Sequence, residues 1–418
     1  MEEILMSLKS FHRKKKIIVL SEYVYQDENS TGYFWAKIID RFGITLGRLI
    51  VLAPAPIAIG YLKSAVCGVD YYSFKRSGFN KNKLLSRFLW QLKQTVSFIR
   101  LLRRHVCKGD LVLTGTNPVL LLLVLPLLRL MLGFRWVLLV HDVYPNNLVP
   151  SGILSNKSLV YRILNRYFNW VYQSADLVFV IGRDMQSLIE KKIESAGRVH
   201  YVPSWVDESD IKPLDRNNSE IIKRLGWEDN YIFQFFGNFG RLQGIDNLFK
   251  AIQLVQNKRA AFLFIGAGIK AEAVMRFSSS SPKSKVAYLG SFEQSRKQQG
   301  LAACDVALIT LEKGMIGLGV PSKAYFSMAA DRPLLAVMDA NSEIAIMIRE
   351  HNIGWVCEPD DPVALAKLID EICSNFKSKR LSSVRSVFEQ HFSGRVGLDR
   401  LVYEVLQFTG DLTDDIHS

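Results

Sequence analysis

Short apolar runs alternate with longer stretches of helical periodicity along the first half of the chain. The apolar runs have the length and the branched residues of buried strands. They lie at Ile17–Ser21, Leu49–Ala53, Leu111–Thr114, Trp136–Val140, Leu177–Ile181 and Val199–Val202. Stretches of helical periodicity lie between them, at Gly32–Phe42, Lys83–Cys107, Val119–Leu132, Leu159–Gln173 and Met185–Ser195. Because strands that are joined by helices pair in parallel, this alternation predicts a parallel sheet that is covered on both faces.

The same alternation returns in the second half. Further candidate strands lie at Tyr231–Phe236, Ala261–Ile265, Val286–Leu289, Val306–Ile309, Leu334–Val337 and Gly354–Cys357. A polar segment near Asp207–Ser219 separates the halves, so we predict an α/β chain of two doubly wound, Rossmann-like domains, residues 1–206 and 207–385. A helical segment, residues 386–418, is expected to cross back to the first domain. Since ligands of such sheets bind beyond the carboxyl ends of the strands, the expected site is the cleft between the domains.

A glycine-rich loop lies between a predicted strand and a predicted helix, at Phe235–Asp246. Gly237, Gly240 and Gly244 remove three side chains within eight residues, and Arg241 stands among them. A strand, a loop and a helix in this order present backbone N–H groups and the positive end of a helix dipole to one point, which suits a phosphate. An ordinary tight turn that needs glycine for clearance is the other interpretation of these residues.

The cysteines and the apolar segments exclude several classes of protein. The five cysteines are scattered, with no CxxC pair and no histidine at ligand spacing, so we predict neither a metal site nor a disulfide framework and expect a reducing compartment. The apolar run after Arg13–Lys16 covers only Ile17–Leu20, which is too short for a secretory signal. Pro126 and Arg129 interrupt the apolar segment Asn117–Leu132, so we expect a buried helix there.

The excess positive charge is confined to the first half of the chain. The formal net charge is +13. Residues 1–205 contain 28 Lys and Arg against 13 Asp and Glu, a balance of +15, and the remainder contains 25 against 27, a balance of −2. Within the first half, Tyr71–Gly109 contains ten basic residues and no acidic one, with apolar and aromatic residues interleaved.

This basic segment predicts an amphipathic helix, because its apolar residues recur at helical spacing. Such a helix is typical of a surface that meets anionic lipid. The residues expected at the membrane are Arg87, Trp90, Arg100, Arg103 and Arg104. A solvated basic face on a core-packed helix is the alternative. Nucleic acid is a less favoured partner for this segment than lipid, because no nucleic-acid-binding module is visible in the sequence.

Several short motifs occur in order along most of the chain. They are TGYF at Thr31–Phe34, VHDVYP at Val140–Pro145, SADLVFVI at Ser174–Ile181, YVPSWVD at Tyr201–Asp207, GNFGRLQGID at Gly237–Asp246 and PSKAYFSMAADRP at Pro321–Pro333. Together they resemble the retaining glycosyltransferases of the GT-B fold, in the large family four. Within it, they are most similar to bacterial exopolysaccharide, colanic-acid and O-antigen transferases. Gly32 resembles the glycine that lets the first loop of that subgroup approach the donor phosphates or the acceptor.

The resemblance implies a nucleotide-sugar donor whose diphosphate lies between two loops. Their residues are Gly237, Asn238, Gly240 and Arg241 in one loop, and Val320, Pro321, Ser322 and Lys323 in the other. Arg241 and Lys323 are the candidate phosphate cations. A leaving diphosphate that is not neutralised by a metal must be stabilised by backbone N–H groups, a helix N-terminus and cationic side chains. A surface charge at a helix start is the alternative interpretation of Lys323.

Further site residues follow from the same resemblance. Gly266 and Gly268 would let the chain approach the nucleotide, and Gly290 and Phe292 would lie near the base. His141 would lie near the transferred sugar and, with Arg241 and Lys323, belongs to the predicted catalytic set. A lone histidine is more often structural, but His141 lies within the VHDVYP motif, so both interpretations of it remain open.

The chain departs from the family pattern at one pair of positions. Many relatives carry two glutamates eight positions apart, of which the second binds the ribose. Here Leu318 and Phe326 occupy those positions, and neither side chain accepts a hydrogen bond. We therefore expect another group to bind the ribose, and Glu343 is the nearest candidate.

The resemblance implies a retaining, metal-independent glycosyltransferase with no cofactor besides its donor substrate. The expected partners are a nucleotide-sugar donor, a lipid-linked saccharide acceptor of bacterial surface-polysaccharide assembly and an anionic membrane, and not nucleic acid. The expected location is cytoplasmic and peripheral, on the inner face of the plasma membrane. A catalytically inactive scaffold and a nucleotide-sugar epimerase of the same fold are the alternatives, and Leu318 and Phe326 favour the scaffold.

Overall fold

The computed structural model describes residues 15–26, 28–56, 66–76, 84–280, 284–376, 378 and 381–409. The first domain contains the strands β1 (Ile17–Leu20), β2 (Leu49–Pro54), β3 (Val69–Phe74), β4 (Leu111–Gly115), β5 (Arg135–Val140), β6 (Leu177–Val180) and β7 (Val199–Tyr201). They form one parallel sheet in the order β3-β2-β1-β4-β5-β6-β7. The sequence pattern did not predict β3, because this edge strand is only partly buried and has no continuous apolar run.

The second domain repeats the parallel design. Its strands are β8 (Tyr231–Phe236), β9 (Ala260–Ile265), β10 (Lys285–Tyr288), β11 (Val306–Thr310), β12 (Leu334–Val337) and β13 (Gly354–Cys357). Their order in the sheet is β10-β9-β8-β11-β12-β13. The predicted fold class, two parallel-sheet α/β domains, is confirmed. In each sheet the strand order reverses beside the first strand, which opens a crevice at the carboxyl ends of β1 and β4 and of β8 and β11.

Helices cover the sheets of both domains. In the first domain they are α1 (Ser30–Leu46), α2 (Leu84–His105), α3 (Val119–Leu132), α4 (Leu159–Gln173) and α5 (Arg183–Ile193). In the second they are α6 (Glu220–Leu225), α7 (Ile245–Leu254), α8 (Ala271–Ser280), α9 (Lys297–Ala302), α10 (Lys323–Ala329), α11 (Glu343–His351), α12 (Pro362–Asn375) and α13 (Val384–His391). The last described helix is α14 (Gly394–Thr409).

Helix α14 packs against the first domain. Asp399 pairs with Arg41 of α1 at 3.0 Å. The guanidinium of Arg135 lies 3.8 Å from the ring centroid of Phe408 and donates a hydrogen bond to the carbonyl of the same residue. The last described helix therefore contacts α1 and the start of β5 in the first domain.

Helix α2 departs from the predicted membrane-facing set at one aromatic residue. Trp90 is only 7% exposed and packs inward, so its assignment to the membrane surface is wrong. Phe88 is 51% exposed, and Leu92 and Val96 are exposed along the same face. Arg100, Arg103 and Arg104 are exposed at the carboxyl half of the helix. The side chain of Arg87 lies outside the described residues.

The glycine at position 32 is required by the packing of the first domain. A Cβ atom at this position would lie 2.3 Å from the carbonyl oxygen of Tyr25, in the segment that follows β1. The side chain of Asn29 caps α1 by accepting a hydrogen bond from the Gly32 amide at 2.8 Å. The close approach that excludes a side chain at Gly32 is therefore an approach of the protein's own backbone, and the expected approach of a ligand is not needed to explain it.

Gly32→Ala should destabilise the first domain by about 1–3 kcal/mol, because a Cβ atom in contact with a backbone carbonyl forces the helix or the segment to shift. Urea denaturation would measure the change. Gly197→Ala is the matched control, since a Cβ atom there meets no atom within 4 Å. Equal midpoints for the two variants would contradict the packing argument.

Candidate active site

Backbone contacts bring two segments of the cleft together. Asp142, which follows β5, forms an antiparallel bridge with Gly319, and the amide of Val143 donates to the carbonyl of Leu318 at 3.0 Å. The first segment carries His141, and the second leads into α10 and Lys323. This bridge therefore places two residues of the predicted catalytic set at the same cavity edge, although they are far apart in the chain.

A cavity of about 200 Å³ lies between these segments. Its lining from the first domain includes the start of α1 and the loop after β5. Its lining from the second domain includes the glycine-rich loop and the segment before α10. The residues are Ser30, Thr31, Phe34, His141, Asp142, Ile181, Ser204, Leu242, Gln243, Leu311, Met315, Gly319, Val320, Pro321 and Ser322. We call this space the first cavity.

Lys323, the first residue of α10, lies beside the glycine-rich loop. Its Nζ donates a hydrogen bond to Oε1 of Gln243 and lies 3.7 Å from the ring centroid of Phe235. Desolvation lowers the pKa of Lys323 to about 7. No carboxylate among the described residues forms an ion pair with it. An ammonium group in this position is held by a neutral amide and an aromatic face, and an anionic ligand would stabilise its charged form.

The glycine-rich loop carries Arg241 at its exposed tip. Asn238 is also exposed, and Gly240 lies beside its amide. Arg241 forms no ion pair with a described residue, so its guanidinium is available to a ligand in the cleft. Arg241 and Lys323 thus differ in setting, because the guanidinium of Arg241 is exposed to solvent whereas the ammonium of Lys323 is desolvated and held by Gln243 and Phe235.

Close contacts within the protein explain why glycine occupies positions 266 and 268. A Cβ atom at Gly266 would lie 1.8 Å from the carbonyl oxygen of Gly237, and one at Gly268 would lie 2.5 Å from Oδ1 of Asn238. Both residues also have positive φ angles, of 146° and 147°. Gly266 and Gly268 therefore let the loop after β9 support the glycine-rich loop, and their expected approach to the nucleotide stays a prediction.

His141 lines the first cavity with a neutral imidazole. Desolvation lowers the pKa of its ring to about 4. The ring centroids of Phe34 and Trp35 lie 6.4 Å and 6.5 Å away. The amides of His141 and Asp142 both donate to Oγ1 of Thr116, at 3.4 Å and 3.3 Å. A neutral imidazole that is held by its backbone can exchange hydrogen bonds with a sugar hydroxyl without bringing a positive charge.

Glu343 does not occupy the position that we expected. Its side chain is 1% exposed. Oε2 accepts from the backbone amide of Arg183 at 2.7 Å and from its guanidinium at 3.1 Å, while Oε1 accepts from the Tyr201 hydroxyl at 3.0 Å. The carboxylate is therefore saturated by contacts between the domains, and the proposed contact with a ribose is wrong for this arrangement. Asp184 extends the same contact by accepting from the Gly317 amide at 2.9 Å.

A second cavity, of about 590 Å³, lies between the amino end of α1 and the segment that leads into α9. It contains the predicted base-side residue Phe292, which meets Phe236 edge to face at 6.3 Å. Gly290 lies two residues before Phe292, and its carbonyl accepts a hydrogen bond from the Gly266 amide at 2.8 Å. Phe326 faces Tyr33 edge to face at 5.2 Å, so the position that differs from the family pattern joins the two domains by aromatic packing. The sequence reasoning missed Lys297, which lines this second cavity.

Within the described part of the chain, no group of three or more His, Cys, Asp or Glu side chains is arranged to hold a metal ion. The predicted site residues instead fall into two sets. His141, Val320, Pro321 and Ser322 line the first cavity, with Lys323 and Arg241 beside it, and Phe292 lines the second. Cationic side chains, a neutral imidazole and backbone amides therefore lie around the cleft between the two domains.

Matches to two protein families cover most of the chain. Residues 60–210 match the family described as Glycosyltransferase Family 4, and residues 230–375 match the one described as Glycosyl transferases group 1. A protein of Pseudomonas aeruginosa that is named probable glycosyltransferase WbjE is 48% identical over 386 residues, which is 92% of this chain and 96% of that protein. The chain belongs to the group 1 and family 4 glycosyltransferases.

Solved structures agree with the fold of this glycosyltransferase. Sucrose-phosphate synthase from Thermosynechococcus elongatus superposes with a TM-score of 0.74 at 16% identity, over 95% of this chain and all of that one. HepE from Anabaena, solved in complex with UDP, superposes with a TM-score of 0.66 at 16% identity, over 94% of this chain and all of that one. HepE has also been solved with UDP-glucose. These likenesses establish the GT-B fold.

Glu343→Gln should destabilise this glycosyltransferase by about 2 kcal/mol, because the charge that satisfies the Arg183 amide and guanidinium is lost from a buried position. Urea denaturation would measure the shift of the midpoint.

Glu350→Gln is the matched control. Glu350 pairs with the same Arg183 at 2.8 Å but is 47% exposed, so its loss should cost at most about 1 kcal/mol. If the Glu350 variant is the less stable of the two, the buried contact is not what holds the domains.

Proposed function

We propose that this glycosyltransferase transfers a sugar, with retention of configuration, from a nucleotide sugar to a lipid-linked saccharide in bacterial surface-polysaccharide assembly. The observation that carries the proposal is Lys323, which contacts Gln243 and Phe235, pairs with no described carboxylate and lies beside a cavity that His141 lines. A cleft of this kind suits a ligand with a diphosphate at one end and a sugar at the other. The solved HepE complexes support a nucleotide-sugar donor.

The donor diphosphate would lie against the amino end of α10 and the glycine-rich loop. Departure of the nucleoside diphosphate leaves negative charge on a phosphate oxygen, and preorganised cations stabilise such charge strongly in a site with little water. Lys323 would contact this oxygen from its fixed position, and Arg241 would close over the outer phosphate. Charge neutralisation by these two side chains makes the proposed reaction independent of a divalent metal.

In the proposed reaction, the bond between the anomeric carbon and the phosphate oxygen breaks while the acceptor hydroxyl bonds to the same face of the sugar. The leaving phosphate takes the proton of that hydroxyl, so no side chain has to act as a base. His141 would hold a hydroxyl of the transferred sugar with its neutral ring. The support for retention is the resemblance of the ordered motifs to retaining enzymes.

An inactive scaffold is a second candidate, because Phe326 and Leu318 offer no acceptor to a ribose. Release of the free sugar from a nucleotide sugar in a hydrolysis assay separates the two. A scaffold would bind its partners without releasing sugar at any donor concentration.

Arg241→Ala and Lys323→Ala should each raise the barrier to transfer by about 2–4 kcal/mol, because each removes a charge-assisted contact to the leaving diphosphate. A transfer assay with a panel of nucleotide sugars would measure the change in kcat/KM, with and without EDTA.

Lys258→Ala is the control for this pair, since Lys258 is exposed at the opposite edge of the second sheet, just before β9. Near-parental rates in both cleft variants would place the donor elsewhere, and restoration of an EDTA-inhibited rate by Mg²⁺ or Mn²⁺ would contradict metal independence.

The location that we propose is the inner face of the plasma membrane. None of the described helices is both long enough and apolar enough to cross a bilayer. We propose that this chain reaches a lipid-linked acceptor through contact of a surface with the membrane.

The surface that we propose for this contact is formed by the neighbouring helices α2, α3 and α4. The hydroxyl of Tyr167 on α4 donates to the carbonyl of Leu123 on α3 at 2.7 Å, so these two helices lie side by side. Large exposed apolar residues are Phe88, Leu89, Leu92 and Val96 on α2, Leu127, Leu130 and Met131 on α3, and Leu159, Val160 and Ile163 on α4. Exposed cations accompany them at Lys93, Arg100, Arg103, Arg104, Arg162 and Arg166. Apolar residues beside cations are the combination that binds an anionic leaflet.

Changing Arg100, Arg103 and Arg104 together to Gln should reduce flotation with acidic liposomes severalfold, because each cation near an anionic leaflet contributes about 1 kcal/mol. Nucleotide binding should be unchanged.

The matched control changes three exposed lysines of the second domain, Lys250, Lys258 and Lys367, to Gln. It removes the same charge and should float like the parent. Equal flotation on neutral and acidic liposomes, or none on acidic liposomes at low salt, would remove the membrane proposal.

A further inference from the structure

Lys297, the first residue of α9, lines the second cavity and forms no ion pair with a described acidic residue. Its Nζ lies 3.3 Å from the ring centroid of Phe326 and 5.4 Å from that of Tyr33. No hydrogen bond or ion pair joins it to a described residue. Desolvation lowers the pKa of the ammonium to about 7. Two aromatic faces stabilise the charged form, but they do not neutralise it.

The acidic side chains around Lys297 either form ion pairs with other cations or are exposed to solvent. Asp210, whose charge acts on Lys297, is paired with Lys37 at 2.9 Å. Glu28 is paired with Arg76 at 3.2 Å. Glu293, at the rim of the second cavity, is exposed. A ligand is therefore the remaining source of a compensating negative charge on this side of the cleft.

The amino end of α1 adds a second positive element at the same cavity. Asn29 and Ser30 line the second cavity together with Lys297, and Ser30 lines the first cavity as well. The first turn of α1 contains no acidic residue, and the Asn29 side chain is used by the Gly32 amide. Helix geometry leaves the amides of Ser30 and Thr31 without an intrahelical acceptor. A helix of 17 residues thus directs its positive end to the space that Lys297 enters.

We propose that Lys297 and the amino end of α1 bind a phosphate group in the second cavity. The inference rests on the proposed function only for the source of that phosphate, which belongs either to the nucleotide donor or to the diphosphate of a lipid-linked acceptor. The position holds a cation on two aromatic rings, Tyr33 from the first domain and Phe326 from the second. Bound phosphate would therefore join both domains through one ligand.

The test compares the parent with Lys297→Met, Lys297→Arg and Lys258→Met, using calorimetry and thermal unfolding. The probes are inorganic pyrophosphate, UDP, uridine and a short-chain prenyl diphosphate. Because Lys297→Met removes a charge-assisted hydrogen bond to phosphate, it should weaken phosphate binding about tenfold or more. Lys297→Arg keeps the charge and should retain most of the affinity. Lys258→Met should bind like the parent, and uridine should be insensitive to every change.

Thermal unfolding separates ligand binding from a structural role. Removal of an uncompensated, desolvated charge should leave the ligand-free Met variant at least as stable as the parent, and the stabilisation by pyrophosphate should shrink. If Lys297→Met weakens the binding of UDP and not of the prenyl diphosphate, the phosphate belongs to the donor. If it weakens only the binding of the prenyl diphosphate, the phosphate belongs to the acceptor.

The proposed phosphate site is contradicted if the parent binds none of the phosphate probes, or if Lys297→Met binds all of them like the parent. It is also contradicted if Lys297→Met is less stable than the parent without ligand. Failure of sugar transfer with the expected phosphate results would instead count against the proposed function alone.

Discussion

One backbone pairing between the domains organises the cleft. The bridge from Asp142 to Gly319, with the hydrogen bond from Val143 to the carbonyl of Leu318, joins the end of a first-domain strand to the segment that leads into α10. His141 precedes the pairing on one side, and Lys323 follows it on the other. Because backbone groups make the contact, it sets the separation of the two walls without using the side chains that face the ligand.

Ionic contacts behind the cleft reinforce this arrangement. Arg183 and Tyr201 of the first domain saturate the carboxylate of Glu343, and Asp184 holds the Gly317 amide. Gly317 lies two residues before Gly319, so the ionic contact and the backbone pairing act on one short segment. A buried carboxylate that accepts several hydrogen bonds keeps its geometry, which makes Glu343 a structural residue here.

The charges of the cleft are left unbalanced by the protein itself. Lys323 lies on the ring of Phe235, Lys297 lies on the ring of Phe326, and neither has a carboxylate partner among the described residues. Lys323 begins α10, and the Phe326 ring that Lys297 contacts lies three residues further along the same helix. Aromatic support keeps an ammonium in place at low cost, and the missing counter-charge leaves its field to act on a ligand.

The order of apolar and helical segments by itself determined the two parallel sheets and placed the glycine-rich loop at a strand end. The periodicity of α2 also indicated an amphipathic helix, but only packing decided that Trp90 turns inward and that Phe88 and Leu92 turn outward. Local periodicity reports which residues share a face, and it does not report which layer that face meets.

The partners of single polar residues were likewise decided by the tertiary structure. Glu343 meets Arg183 across 160 positions of sequence, and Lys297 reaches Phe326 and Tyr33 from another helix. The sequence alone supplied the types of group that a diphosphate needs. Which of them meet an opposite charge within the protein, and which remain for a ligand, depends on long-range contacts that only the assembled domains create.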